Sequence, residues 1–164
     1  MRHASRLLGA VTLSMVAGFG ALPAFAAGST DNTPPAAAKP RNPDFDAGKA
    51  AIARNDFAGA TQALRRATTA EPRNPEAWNL LGYATRRFGD PRGSLQHYQQ
   101  ALSIDPKHLG AHEYIGEAYL MLNDLPSAEQ HLARLDSLCT FGCREHRELK
   151  TAIENFKRGR KPGS

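Results

Sequence analysis

The sequence holds no phosphate-binding glycine loop, no HExxH, no Gly-x-Ser-x-Gly elbow and no paired catalytic carboxylates beyond its first 26 residues. An enzyme is not expected. Cysteine is scarce: Cys139 and Cys143 are the only two, with Thr140, Phe141 and Gly142 between them. Thioredoxin-type redox chemistry needs two intervening residues, and haem attachment needs Cys-x-x-Cys-His; neither occurs. No cofactor is therefore expected. Charge is missing from one long stretch, since nothing between Arg6 and Asp31 is acidic or basic. Arg2 and Arg6 are not adjacent, so a twin-arginine signal is not indicated, and no cysteine stands where a lipid anchor would need one.

What is there begins with that uncharged stretch. Arg2 and Arg6 precede an apolar run from Leu7 to Leu22, and Ala24-Phe25-Ala26 closes it as a small-x-small cleavage site. Residues 1–26 thus read as a secretory signal peptide, and the mature chain is expected to be periplasmic or secreted. Gly18, Gly20 and Pro23 interrupt the continuous helix that a retained anchor needs. The leader carries two of the 21 basic residues and none of the 16 acidic ones, so its removal lowers the formal charge from +5 to +3. So small a charge steers little, and nucleic acid is not an expected partner. Membrane contact is not expected either once the leader is gone; residues 159–164 read as a solvated basic tail. Of 164 residues, 41% are hydrophobic and 23% charged, a globular balance with room for one domain.

Residues 27–42, AGSTDNTPPAAAKPRN, are small and proline-rich without apolar periodicity, and read as a disordered linker. From Pro43 the pattern is helical and repeats every 34 residues. Aligning 41–74, 75–108 and 109–142 puts Gly48, Gly82 and Gly116 in one column and Ala60, Ser94 and Ala128 in another. Leu64, Tyr98 and Leu132 share a third, Ala67, Ala101 and Leu135 a fourth, and Asp56, Asp90 and Asp124 a fifth. Pro72 and Pro106 close the first two units. The spacing predicts helices over 44–54, 57–70, 75–88, 91–104, 109–122 and 125–138, with a last one over 143–157. A glycine in mid-helix costs about 1 kcal/mol relative to alanine, so a glycine column implies close approach of the paired helix, whose matching residues are small. Trp78, Leu81, Tyr98 and Leu102 are expected to fill the gaps between layers.

The middle unit, with Trp78, Leu81 and Gly82 followed by Tyr98, Ala101 and Pro106, resembles a tetratricopeptide repeat over its whole length. The resemblance implies an all-α, right-handed helix–turn–helix solenoid of about three such units over 43–142. The outer units match less well: Asp44 and His112 stand in the Trp78 column, and Thr140 replaces the closing proline. After them, 143–158 sets Leu149, Ile153 and Phe156 on one helical face, as a helix capping the open end would.

In an exported protein the close cysteine pair reads first as a Cys139–Cys143 disulfide locking that cap to the third repeat. A metal site from Cys139, Cys143 and His146, with His131, is the alternative. His108 and His112 read as a surface pair. The resemblance further implies a concave groove lined by the first helices of the repeats and receiving a peptide or a partner's segment. Carried over residue by residue, it includes Lys49, Ile52, Asn79, Tyr83, Arg86, Arg87, Glu113, Glu117 and Leu120, cationic in the middle unit and acidic in the third. A carboxylate clamp fits poorly, because Leu80, Gly110 and Tyr114 hold columns where it needs basic or amide groups. The reading is a non-catalytic interaction scaffold of the periplasm, with an assembly or maturation factor as one such role. A metal- or redox-handling protein built on the cysteines and a membrane-tethered adaptor with its leader retained are the alternatives.

Overall fold

The computed structural model describes residues 42–140 and 142–160. The proposed leader, nearly all of the linker and the end of the basic tail lie outside the described residues. Among the described residues there are seven helices and no strand: α1 Pro43–Ala53, α2 Phe57–Ala70, α3 Pro75–Arg87, α4 Pro91–Ile104, α5 Leu109–Met121, α6 Leu125–Leu138 and α7 Arg144–Lys157. Asn42, assigned to the linker from sequence, instead caps α1 by accepting from the amides of Asp44 and Phe45.

The turn within each repeat follows from three residues. Asn55, Gly89 and Asn123 adopt φ of 59°, 107° and 60°, the left-handed conformation that glycine and asparagine tolerate best. Each lets the next aspartate turn its amide back onto the ending helix: Asp56 N–H donates to Ala51 O, Asp90 to Thr85 O and Asp124 to Tyr119 O. The same aspartates then open the following helix, accepting from the amides of Gly59, Gly93 and Ser127. One residue type thus ends one helix and starts the next, which is why the aspartate column recurs at every repeat.

The helices pair within repeats, and each pair packs on the next. A Cβ added to Gly48 would lie 2.5 Å from Leu64 Cγ, and one added to Gly82 would lie 2.6 Å from Tyr98 Cε1. The glycines therefore make room for the large residue of the facing helix, while Ala60, Ser94 and Ala128 are fully buried where the helices cross. The third repeat departs from this. An added Cβ at Gly116 would meet Leu149 Cδ2 of α7 at 2.6 Å, not Leu132 of its own repeat.

Three apolar clusters run along the chain of helices. Ala51, Ala60, Leu64, Leu81 and Ala84 form the first, Tyr98, Ile115 and Ala118 the second, and Leu120, Ala128, Leu135, Leu149 and Ile153 the third. Each joins one repeat to the first helix of the next unit, and α7 serves as that helix for the third repeat. Burying Leu149 and Ile153 contributes about 1.5–3 kcal/mol each.

Trp78 is half-buried rather than fully enclosed, and its Nε1–H donates to Pro72 O at 3.0 Å. Its ring stacks on His97, centroids 6.0 Å apart. One repeat later His112 and His131 occupy the same two columns. His112 Nε2 donates to Pro106 O at 3.1 Å, and the two rings meet through their Nδ1 atoms at 3.0 Å. His112 and His108 are accordingly no surface pair. His108 caps α5, accepting from Ala111 N–H, and its Nε2 donates to Glu76 at 2.9 Å.

Cys139 and Cys143 are joined by a disulfide, Cα to Cα 5.6 Å. It links the C-cap of α6 to the N-cap of α7. The bonded sulfurs offer no thiolate and His131 faces His112, so the metal alternative loses its ligands. No group of three or more metal-binding side chains gathers among the described residues. Nor is any described helix long and apolar enough to cross a membrane.

Candidate functional site: the channel between α3, α5 and α7

Helical spacing puts Tyr83, Arg86 and Arg87 on one side of the last turns of α3, and Glu113 and Glu117 one turn apart on α5. Together with Tyr114 and with Glu148 of α7 they line a cleft of about 370 Å³. Glu117 and Glu148 also line a second cleft of about 390 Å³ with Arg147, Thr151 and Asn155, so a channel continues along α7.

Its floor is aromatic and cationic. The Tyr83 and Tyr114 rings lie 5.1 Å apart, and Tyr114 in turn lies 6.3 Å from Tyr98. Arg86, 5% exposed, stands over both Tyr83 and Tyr114 at 5.6 and 5.7 Å. Its Nη2 meets Glu117 Oε2 at 2.6 Å, and its Nε donates to the Tyr98 hydroxyl at 3.4 Å. Burial works against the Arg86 charge, but Tyr98, Glu117 and Tyr83 outweigh it and hold the guanidinium above its usual pKa. Arg86 is a buried bond between the second and third repeats. Arg87 is the exposed cation: it lies 4.6 Å over Phe57 and donates to the Tyr83 hydroxyl at 2.9 Å.

The other wall is acidic. Glu113 is 2% exposed and hydrogen-bonds to the Glu148 carboxyl of α7. Burial, then the hydrogen bond to Glu148 and the charges of Glu148 and Glu117, push its pKa well above the carboxylate range. The Glu113–Glu148 pair therefore favours keeping a proton between its two carboxyls. Burial, with Glu113 beside it, pushes the Tyr114 phenol up to about 12.

Of the residues assigned to the groove from sequence, Tyr83, Arg86, Arg87, Glu113 and Glu117 come together here. Lys49 is exposed on α1, 5.3 Å over the Phe45 ring and 4.0 Å from Asp46. Ile52 packs on the first cluster. Asn79, 3% exposed, donates to Glu76, and Leu120, 1% exposed, belongs to the third cluster, so both are interior rather than wall. The cationic middle read from sequence is also largely cancelled, because Arg86 is spent on Glu117. Tyr114 and Glu148 are the lining residues that sequence reasoning did not assign. The signal for Glu148 was α7 itself: a capping helix in the place of a repeat's first helix presents a polar edge to the channel.

The sequence matches two family descriptions of the tetratricopeptide repeat, over residues 45–108 and 86–138. No curated protein matches it. Among solved structures the fold is similar to the TPR2B domain of yeast Sti1 in complex with pHsp70, at 15% identity and a TM-score of 0.66, covering 71% of this chain and 95% of that one. It is similar to the first TPR of Spaghetti (RPAP3) bound to the HSP90 peptide SRMEEVD, at 16% identity and 0.63, over 71% and 89%. It is also similar to the Yersinia enterocolitica type III secretion chaperone SycD in complex with a peptide of the translocator YopD, at 16% and 0.61, over 71% and 88%.

Proposed function

The chain belongs to the tetratricopeptide repeat family, and we propose that it is a non-catalytic scaffold that takes a peptide or an extended segment of a partner protein along its α3–α5–α7 channel. The observation that carries this reading is the cleft at the middle of the first-helix row, floored by Tyr83 and Tyr114 and open at Arg87. Tyrosine and arginine concentrate binding energy in such central positions. Relatives in fold are described as bound to peptides, which supports the same use of the surface. The leader over 1–26 and the disulfide both suit an oxidising compartment, so the reading extends to an assembly or maturation factor of the bacterial periplasm.

The test leaves Arg86 in place, because Arg86 is buried between the second and third repeats and its removal would leave the partly exposed Glu117 without its cation. Tyr83→Ala with Arg87→Ala should abolish capture of the envelope partner while circular dichroism stays helical and the melting temperature moves by only a few degrees. Undiminished capture by that variant would refute the channel. Mass spectrometry of the same envelope preparation tests the address: a mature chain beginning near Ala27 is expected, and an intact Met1 in a membrane fraction would favour the tethered alternative.

A further inference from the structure

Past Glu117 and Glu148 the channel runs along α7, and its charge changes sign there. Arg147, Thr151 and Asn155, successive residues four apart on one side of the helix, line this second cleft. Both of its carboxylates are already answered, Glu117 by Arg86 at 2.6 Å and Glu148 by Arg144 at 3.2 Å. Arg147 is exposed and meets no carboxylate among the described residues.

The end of α7 brings two more guanidinium groups to the same place. Gly159 adopts a φ of 75° and folds the chain back, so that its N–H donates to Phe156 O at 2.9 Å and that of Arg160 to Asn155 O at 3.0 Å. Arg160 is thereby laid beside Arg158, and both donate to the one Asn155 Oδ1, at 3.1 and 2.8 Å. Residues 159 and 160 are accordingly held on α7 and are not part of a solvated tail. Two cations that share a neutral oxygen repel each other, and neither meets a carboxylate among the described residues. The negative end of the helix dipole favours cations in this turn, but it does not require three of them on the side that lines the cleft.

We propose that the α7 end of the channel is a docking surface for an acidic stretch of the bound segment, whose Asp or Glu carboxylates pair with Arg147, Arg158 and Arg160. The proposal rests on the channel reading above and names the chemistry of its ligand. Charge complementarity carries it: a carboxylate offers two oxygens to a guanidinium fork, and an anion set between the arginines relieves their repulsion. The cations of α3 cannot supply the same contact, since Arg86 is buried on Glu117 and Arg87 lies on the rings of Phe57 and Tyr83. A bilayer or a nucleic acid would read the whole exposed side of α7. There Glu154 stands exposed among the cations, and Lys157 is paired with Glu129 at 2.6 Å. A cleft along one edge of the helix suits an extended chain instead.

Selection from a random nonapeptide display library on the purified protein tests this before the partner is known. Enriched peptides should carry Asp and Glu in excess over Lys and Arg. Changing those residues of a selected peptide to Asn and Gln should weaken binding at least roughly tenfold, the combined scale of three exposed ion pairs at about two- to fivefold each. Added salt should shrink that difference. On Arg147→Gln with Arg158→Gln and Arg160→Gln, the acidic peptide and its amide counterpart should bind within about twofold of each other. All three positions are exposed, so the melting temperature should move little. If the triple variant fails to fold, Arg147→Gln alone repeats the measurement, with a loss of about two- to fivefold expected. A neutral or basic consensus would overturn the proposal, as would an acidic preference undiminished in these variants. If peptides of such a consensus are nonetheless lost in Tyr83→Ala with Arg87→Ala, the channel stands and only its charge preference falls. Enrichment of no peptide overturns both. Capture of phosphatidylglycerol vesicles or of a short DNA duplex through these arginines, without acidic bias among the peptides, would assign them to phosphate and overturn the proposal as well.

Discussion

His131 shows how one side chain sets a pH limit on the fold. Pro106 O only accepts, so His112 Nε2 carries a proton, and in a neutral ring its Nδ1 accepts from the Nδ1–H of His131. The pair holds together with both rings neutral. Burial, then the neighbouring His112, lowers the His131 pKa from 6.5 to about 4. Burial also lowers that of His112, with Arg134 and His108 adding to it and Pro106 O and Asp105 opposing. A histidine whose pKa is lower folded than unfolded binds fewer protons in the native state. Its stabilising contribution is whole above about 6.5 and is lost as pH falls toward about 4. Thermal unfolding across that window should show a falling melting temperature, and a shallower fall in His131→Phe, which keeps the stack on Tyr119. Equal slopes would mean the pair is not the titrating unit. The sequence placed His112 in the Trp78 column but not its role. That it repeats the tryptophan's bond to the preceding proline carbonyl depends on backbone geometry shared by the repeats. Arg86 was illegible for a related reason: its partner Glu117 lies in another repeat, and nothing local distinguishes a buried arginine from an exposed one.

At the scale of elements the boundaries were highly legible, because their chemistry is local. Proline in the first turn of α1, α3, α4 and α6, aspartate at the caps of α2, α4 and α6, and asparagine or glycine in the left-handed turns mark these helices almost residue by residue, while α5 opens on His108 without either signal. The junction before α7 obeys different rules. Asn74 and His108 cap their helices with a side-chain acceptor, whereas Cys143 makes no such bond. Its sulfur is instead tied to the last residue before the turn. The disulfide takes over the positioning that proline and cap supply elsewhere. Closing so short a loop is worth about 2 kcal/mol in the chain-entropy account. The Cys139→Ser, Cys143→Ser variant should lose roughly that much in urea unfolding. Hydrogen exchange should show α7 losing protection before α3 and α4 do. Uniform loss of protection across all helices would instead make the bridge a global restraint rather than a lock on the cap. The amphipathic pattern of 143–158 announced a cap. That the cap also walls the channel with Glu148 was hidden, since that depends on how α7 lies across α5.

Across the whole repeat domain, core packing and the proposed binding surface use opposite sides of the same helices. The glycine column and the three clusters hold α1, α3 and α5 against their partners, while the polar side of α3 and α5 turns, with α7, to the channel. A 34-residue period made the solenoid readable at once, because each repeat meets only its neighbours and local pattern is enough. The channel was half readable: it gathers residues by column, but burial had already claimed Asn79, Arg86 and Leu120. The central claim is that the partner lies in this channel, and site-specific photo-crosslinking in the host cell tests it most directly. Benzoylphenylalanine placed at Tyr83 should yield a covalent adduct with the partner, and the same group at Gln100, exposed on α4, should yield none. Adducts from position 100 and none from position 83 would contradict the account.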